Sequence, residues 1–375
     1  MNPGCTDLSS YNKSLPLPLK SSNTIVIATN DIDDKNIFMN GIIQNIIILY
    51  DLFESMGCKS YLFQHTRNNT KKNEFIYRYD IITTDELIKN PMPISTFIEV
   101  GTSVSSTIRS YLRSIGAKIV KLYLGNIINI DIETIHNYDV FFNHHIVGEI
   151  DEIWTSPHYK QNIDYAAALN RVPLTNTKIV PYVWDPNVIT QYGLYEWIPS
   201  ESDIVIMDPN ISFQKCFFYP LLLVEAFHKK HPEWNGKIHI INGDKINIVP
   251  NAHNFIIPSL TIKDRIVFHS RKSINDILKS HRSACFITHQ WNNDFNYNTL
   301  ELMYCNYPVL HNSEGWKFGY NYDIHKWDDA IKMLYDALYN HKKNLNVYKS
   351  HAANLLWKHS IYNPEVQAEW HSILA

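Results

Sequence analysis

The sequence lacks the features that mark membrane proteins, secreted proteins and nucleic-acid-binding proteins. Its 375 residues carry a formal net charge of -3, so there is no overall basic field for DNA or an anionic membrane. The longest apolar run, residues 42–49, is interrupted by Gln44 and Asn45 and is too short to span a bilayer. Residues 1–7 contain neither the basic nor the apolar region of a signal peptide. We therefore expect a cytoplasmic protein with no transmembrane segment and no nucleic-acid partner.

Cysteine and glycine are also scarce, and both shortages exclude classes of function. The five cysteines are scattered and form no Cys-x-x-Cys pair, which argues against a disulfide framework and a zinc site. They are Cys5, Cys58, Cys216, Cys285 and Cys305. Only 12 glycines occur, and no Gly-x-Gly-x-x-Gly motif follows the apolar runs at residues 25–28 or 204–207. A nicotinamide-dependent oxidoreductase is therefore disfavoured, and we expect neither a cofactor nor a metal ion.

Short β-branched runs alternate with helical patterns through the first half of the sequence. The predicted strands are residues 24–29, 60–63, 96–100, 118–123, 152–154 and 178–183. The predicted helices are residues 40–56, 103–115 and 161–170, with Gly57 and Gly116 at the C-terminal ends of the first two. Strands that read as continuous apolar runs are typical of a parallel sheet covered by helices on both faces.

The same alternation starts again at Asp203. Predicted strands follow at residues 203–208, 237–241, 265–268, 284–288 and 308–310, and predicted helices at 215–229, 274–281 and up to about 306. From Trp327 onward the pattern is helical and is interrupted at Pro364. We predict an α/β fold of two doubly wound, Rossmann-like domains that face a cleft. The predicted divisions are an irregular lead-in at 1–22, domains at 23–195 and 196–345, and C-terminal helices at 346–375 that cross back to the first domain.

The most informative stretch is residues 288–301, where a polar loop follows a strand and leads into a helix that carries Glu301. In open α/β sheets, ligands bind at the carboxyl ends of strands and at the helix starts that follow. An acid there can accept hydrogen bonds from sugar hydroxyls. Lys215 and Arg271 also follow predicted strands, and cations suit a diphosphate. The alternatives are a solvated lysine, a salt-bridged surface arginine and an acid favoured only by the helix dipole.

These segments resemble the donor-binding elements of GT-B glycosyltransferases, in particular retaining enzymes of the family 4 type. In those enzymes a lysine precedes a helix that ends in Glu-Ala-Phe, as Lys215 precedes residues 225–227 here. A Val-x-Phe-x-Gly strand comes next in those enzymes, and residues 266–270 here read Ile-Val-Phe-His-Ser, with Ser270 where glycine is usual. Glu301 matches the second glutamate of the family's Glu-x7-Glu motif, whereas the first falls on Asn293. Ordered matches over residues 24–340 resemble a little-characterised branch found in bacteria and large DNA viruses.

The resemblance implies roles on the donor side. Lys215 and Arg271 would neutralise the leaving diphosphate, and Glu301 would bind the ribose hydroxyls. Further donor contacts implied by the matching segments are Asn210, Asn296 and Tyr297. Because Asn293 cannot act as a carboxylate, the choice between retention and inversion stays open.

On the acceptor side, Gly41 stands at a helix start where a backbone can approach a ligand closely. Gln44 and Asn45 are candidate acceptor contacts, or simply polar helix residues. His144 and His145 follow a strand-like run and are candidates for acid–base work. With 18 histidines in the sequence, a structural role is the alternative for each of them.

Asp31 and Asp33 spell the Asp-x-Asp motif with which metal-dependent GT-A transferases hold a divalent ion. They lie between the first strand and the first helix of a Rossmann unit, and we interpret them as part of a polar loop. The predicted function is metal-independent transfer of a sugar from a nucleotide-diphosphate sugar to an unidentified acceptor, such as a glycan. The alternative is a GT-B-shaped binding or structural protein without catalysis, which Asn293 would suit.

Overall fold

A computed structural model describes residues 23–30, 32, 37, 40–66, 74–138, 148–190, 193–199, 203–207, 214–244, 255–291 and 295–375. Its described residues form two compact units. The N-terminal unit consists of residues 23–185 together with 357–375, and the C-terminal unit consists of residues 186–356. Among the described residues, no helix has the length and apolar composition required to cross a membrane.

Strands and helices alternate along both units. The first half contains β1 (Thr24–Ala28), α1 (Gly41–Ser55), β2 (Lys59–Gln64), α2 (Glu74–Tyr77), β3 (Ile81–Thr83), α3 (Thr84–Lys89), β4 (Thr96–Val100), α4 (Ser106–Ser114), β5 (Lys118–Tyr123), α5 (Ile127–Tyr138), β6 (Glu152–Thr155), α6 (Ile163–Asn170) and β7 (Thr177–Ile179). The second half contains α7 (Asn187–Thr190), β8 (Ile204–Ile206), α8 (Phe218–Lys230), β9 (Ile238–Ile240), α9 (Ile257–Ser259), β10 (Ile266–Phe268), α10 (Ile274–Ser280), β11 (Cys285–Thr288), α11 (Tyr297–Tyr304), β12 (Val309–His311), β13 (Tyr320–Asn321), α12 (Trp327–Tyr335), α13 (His341–His359) and α14 (Pro364–Leu374).

The sheet of the N-terminal unit is parallel throughout, in the order β3-β2-β1-β4-β5-β6-β7. Val26 of β1 pairs with Tyr61 on one side and with Phe97 on the other. Residues 25–28 are fully buried, as expected for a central strand covered on both faces. The order of the strands reverses between β1 and β4, which is where doubly wound sheets bind ligands.

Two backbone features shape the edge of this sheet beside β1 and β4. Asn40 caps α1, because its side chain accepts a hydrogen bond from the backbone N–H of Ile42. Gly101 follows β4 with a φ of 59°, and a Cβ atom at that position would lie 2.8 Å from Cγ2 of Ile42. Glycine therefore allows the loop after β4 to pass close to the first turn of α1.

The last helix, α14, packs on the N-terminal unit. Trp370 is fully buried and makes edge-to-face contacts with Phe53 of α1 and Trp154 of β6, at ring-centroid distances of 5.3 and 5.7 Å. Lys178 donates a hydrogen bond to the carbonyl of Ile373 at 2.9 Å. Residues from both ends of the sequence therefore share one hydrophobic core.

The sheet of the C-terminal unit is also parallel, in the order β10-β9-β8-β11-β12-β13. Ile206 of β8 pairs with Ile240 of β9 and with Ile287 of β11. The order reverses between β8 and β11, so this unit has the same strand arrangement as the first. The loops after β8 and β11 consequently leave the sheet side by side.

Several predicted elements differ from the structure in type or extent. The predicted helix at 215–229 is α8, which begins only at Phe218, so that Lys215 precedes it by three residues. Pro364 does not interrupt a helix but begins α14, after Asn363 has capped it with a hydrogen bond from the N–H of Glu365. Proline suits the first position of a helix, where no backbone N–H is needed. The predicted strand at 178–183 is β7, which ends at Ile179.

Candidate functional site

The loops that follow β8 and β11 are joined by a backbone hydrogen bond. The N–H of Trp291 donates to the carbonyl of Gln214 at 2.8 Å. This bond fixes the segment before α8 against the segment before α11 at the carboxyl edge of the sheet, where the strand order reverses. In a doubly wound sheet this position is the expected ligand site.

Lys215 lies directly after the bonded residue Gln214 and is half-buried. The helix that follows, α8, begins after Phe217, whose side chain offers no cap to the first turn. The backbone N–H groups at such a helix start carry partial positive charge. A lysine ammonium and these N–H groups together provide a positive region suited to an anionic ligand.

Glu301 occupies the second turn of α11 and is only 2% exposed. The helix is capped by Asn296, whose side chain accepts a hydrogen bond from the N–H of Asn298 at 3.2 Å. Tyr297 is buried beside Glu301, and burial together with that carboxylate raises the pKa of the tyrosine well above its usual range. The alternative was that Glu301 is a solvated acid favoured only by the helix dipole. Its burial does not fit that alternative, because burying a carboxylate is costly.

Arg271 lies three residues beyond the end of β10 and is exposed. Strand β10 is at the end of the sheet, with β9 between it and β8. Lys215, Arg271 and Glu301 thus all follow strand ends at the same carboxyl edge. The segment with Lys215 and the helix with Glu301 follow the adjacent strands β8 and β11, whereas the loop with Arg271 starts two strands away from β8.

A group of buried polar residues after β11 was not assigned a role from the sequence. His289 stacks on Tyr219 of α8 with ring centroids 4.2 Å apart, and its Nδ1 lies 2.6 Å from the hydroxyl of Tyr322. Burial lowers the pKa of His289 to about 4, so the ring is neutral at pH 7. The backbone N–H of Gln290 donates to the side chain of Asn312, which in turn donates to the carbonyl of Gln290. These bonds hold the start of the loop between β11 and α11 in place.

The predicted acceptor residues lie at the start of α1. Gly41 is the first residue of the helix and is exposed, whereas Gln44 is buried. Asn45 donates a hydrogen bond from Nδ2 to the carbonyl of Gly41 at 2.7 Å, which is a contact within the helix. The other site candidates, His144, His145, Asn210 and Asn293, lie outside the described residues, as do Asp31 and Asp33.

Comparison with known proteins yields a family and a set of similar folds. A family described as "Protein of unknown function (DUF2827)" matches residues 25–374. No curated protein matches the sequence. Among solved structures, an alpha-glucosyltransferase in complex with UDP and DNA is 13% identical, with 94% of this chain and 100% of that chain covered and a TM-score of 0.60.

Two further solved structures show the same similarity. The HepE protein from Anabaena in complex with UDP-glucose is 9% identical, with 93% of this chain and 99% of that chain covered and a TM-score of 0.58. A glycosyltransferase from Rickettsia africae is 13% identical, with 95% and 98% covered and a TM-score of 0.54. The two parallel sheets with flanking helices therefore have the GT-B glycosyltransferase fold, which confirms the predicted α/β fold class.

Proposed function

This chain belongs to the DUF2827 family, and we propose that it is a glycosyltransferase that uses a nucleotide-diphosphate sugar as its donor. The observation that carries the proposal is the arrangement at the carboxyl edge of the C-terminal sheet. The hydrogen bond from Trp291 to Gln214 holds the Lys215 segment against the loop that leads to Glu301. A cation for a diphosphate thus lies before α8 and a buried acid for sugar hydroxyls lies in α11, and these two helices follow adjacent strands.

The proposed chemistry rests on neutralising the leaving diphosphate. Lys215 and the N–H groups at the start of α8 would bind the phosphates as negative charge develops on them, and Arg271 would add a second cation. Glu301 would accept hydrogen bonds from the ribose hydroxyls. With these groups supplying the positive charge, we propose that transfer does not require a metal ion. Asn210, Asn296 and Tyr297 are the further proposed donor contacts.

The nucleotide of the donor and the chemical class of the acceptor can both be proposed more narrowly. Similar folds occur in proteins solved with UDP and with UDP-glucose, so a uridine nucleotide is the first donor to test. One of those proteins was solved with DNA. This chain has a net charge of -3, which favours a glycan or a small acceptor over DNA. Gly41, Gln44 and Asn45 are the proposed acceptor-side residues.

The second candidate function is a nucleotide-binding protein of the same fold that has lost catalysis. It is favoured by Asn293, which stands where the retaining family 4-type enzymes carry a glutamate. If transfer does occur, Asn293, His144 and His145 are the candidates for catalysis. Nucleotide binding does not separate the two functions, whereas consumption of the donor does.

Replacing Lys215 with alanine is expected to weaken binding of UDP about 10- to 150-fold, because a charge-assisted contact to a phosphate contributes about 1.5–3 kcal/mol. A thermal-shift screen of UDP-, GDP-, ADP- and dTDP-sugars would first identify the nucleotide, and calorimetric titration would then measure its affinity. Lys332→Ala, an exposed lysine of α12 in the same unit, is the matched control and should bind normally. Equal affinities for the two variants would contradict the assignment of Lys215.

Replacing Glu301 with glutamine is expected to weaken binding of the nucleotide while leaving binding of pyrophosphate unchanged. The reason is that Glu301 is proposed to contact the ribose, which pyrophosphate lacks. Titration of UDP and pyrophosphate against the wild type, Glu301→Gln and Lys215→Ala separates the two roles, since Lys215→Ala should weaken both ligands. An equal loss of both ligands in Glu301→Gln would assign the glutamate to the phosphates instead. Release of free sugar from the identified donor, measured on the wild type, distinguishes the enzyme from the inactive binding protein.

A further inference from the structure

Three histidines that are distant in sequence meet in the C-terminal unit. His239 lies in the middle of β9, His269 directly follows β10, and His281 directly follows α10. Each offers a ring nitrogen, and these nitrogens all lie within 4.8 Å of one another. Because Val267 of β10 pairs with His239, residue 269 falls on the same face of the sheet as His239. We call His239, His269 and His281 the histidine cluster.

A carboxylate orients the first of these rings. Nε2 of His239 lies 3.3 Å from Oδ2 of Asp203, the residue that precedes β8. A carboxylate beside Nε2 favours the tautomer that carries its proton there, which leaves the lone pair on Nδ1. That Nδ1 faces His269, whose Nε2 is 2.9 Å away. In metal sites, histidine ligands are commonly held by a carboxylate in the same manner.

The ring of His281 supplies the third nitrogen of the histidine cluster. Nε2 of His281 is buried and has no hydrogen-bond partner among the described residues. The ring of His281 lies 4.3 Å from that of His239. A buried polar nitrogen without a partner is energetically unfavourable, and a bound ion would remove that cost.

The geometry points to a binding site for one divalent transition-metal ion of the zinc class, with His239, His269 and His281 as ligands and Asp203 orienting His239. Nitrogens bound about 2.0–2.1 Å from a tetrahedral zinc lie about 3.3 Å apart. The 2.9 Å pair and the 4.8 Å limit bracket that separation, so small rotations of the side chains would close the site. Imidazole ligands favour zinc-like ions over calcium or magnesium, which prefer oxygen.

This proposed site departs from the expectation that no metal is bound. Its three histidines are 30 and 12 positions apart and form no sequence motif, so the sequence alone does not suggest it. An ion there would connect β9 to both ends of the segment 269–281. Because the ion would hold in place the segment that contains α10 and Arg271, its proposed role is structural. The positive charge of Lys272 acts on His281 and opposes the ion, whereas the carboxylate of Asp203 favours it.

The test is titration of zinc chloride into the untagged, full-length chain after treatment with a chelator. Calorimetry should show one site per chain, and Co²⁺ in place of zinc should give the visible absorption of a tetrahedral nitrogen-bound ion. His281→Gln should lower the affinity at least about 10-fold, and Asp203→Asn about 10- to 100-fold, as for other carboxylates that orient a metal ligand. His325→Gln changes an exposed histidine of the same unit and should leave the affinity unaltered.

Two outcomes would overturn the proposal. One is a wild-type chain that binds no zinc, and the other is a His281→Gln variant that binds zinc as the wild type does. Circular dichroism of each variant without metal checks that it is folded, and His269→Gln replaces His281→Gln if the latter is not. Because no nucleotide is present, the result is independent of the proposed glycosyltransferase function.

Discussion

Glu99→Gln is expected to lower the free energy of unfolding of the N-terminal unit by about 3–5 kcal/mol, because it removes the buried carboxylate that Arg109 and Lys121 share. Glu99 of β4 is 0% exposed. Its Oε1 accepts hydrogen bonds from Nε and Nη2 of Arg109 at 3.0 and 2.7 Å, and its Oε2 accepts one from Lys121 at 3.3 Å. Both cations are at least 95% buried and would lose their shared counter-charge.

The same network fixes the loop that follows β4. Lys121 also donates to the carbonyl of Thr102 at 2.5 Å and to the hydroxyl of Ser103 at 2.8 Å. The backbone N–H of Val104 donates to Oε1 of Glu99 at 3.3 Å. Burial lowers the pKa of Lys121, and the neighbouring carboxylate of Glu99 opposes this shift. The positive charge of Lys121 therefore depends on Glu99. Loss of Glu99 should therefore loosen this loop as well as destabilise the unit.

Glu149→Gln is the matched control, since Glu149 binds the same arginine. Its carboxylate accepts a hydrogen bond from Nη1 of Arg109 at 2.7 Å, but the side chain is 31% exposed to solvent. Partly solvated ion pairs contribute about 0–1 kcal/mol, so this variant should unfold nearly as the wild type does. Urea unfolding followed by tryptophan fluorescence measures both variants. Similar losses in the two would show that burial does not govern the network.

Acidification from pH 6.5 to pH 5.5 is expected to destabilise the folded chain by several kcal/mol through four buried histidines. Burial lowers the pKa values of His289, His311, His341 and His359 to about 4 each. In the unfolded chain the pKa is about 6.5, so between pH 6.5 and pH 4 the unfolded state binds more protons. Stability therefore falls as the pH decreases through this window, by up to about 1.4 kcal/mol per pH unit and histidine. Above about pH 7.5 the four rings are almost entirely neutral in both states, and the effect vanishes.

The direct measurement is proton uptake on unfolding. Calorimetric unfolding at pH 5.5 in two buffers of different ionisation enthalpy should show uptake of about 3.5 protons by these four rings, and at pH 7.5 almost none. The hydrogen bonds of His341 fit a neutral ring, because its Nε2 contacts the carbonyl of Asn306 at 2.9 Å and its Nδ1 contacts the hydroxyl of Tyr320 at 3.0 Å. A ring nitrogen facing a carbonyl carries a proton, so the other nitrogen has none in the neutral ring. Uptake close to zero at pH 5.5 would show that these histidines are protonated in the folded state.

The central strands were predictable from the sequence because they are continuous apolar runs. The bounds of β4 and β5 agree with the prediction to the residue. Short peripheral elements escaped prediction, since three residues such as those of β3 carry too little periodicity to distinguish them. A readable signal did exist at α3, where Thr83 and Glu86 form a capping box.

The candidate site was predictable only where its residues follow strands in sequence. The position of Glu301 after β11 could be inferred, but its nearly complete burial depends on how α11 packs and had no signature in the sequence. The stacking of His289 on Tyr219 and the meeting of His239, His269 and His281 depend on strand order. Contacts between residues tens of positions apart become visible only when the order of the strands is known.

The packing of α14 on the first sheet bears on how the protein is made. The ribosome synthesises residues 23–185 long before Trp370, whose ring completes the core between Phe53 and Trp154. The intervening residues 186–356 form a unit of their own from one continuous segment. Synthesis therefore completes the second unit before the first, although domains usually fold in the order in which they are made. The core of the nascent first unit stays incomplete until Trp370 has been synthesised, whereas all residues of the second unit are available earlier.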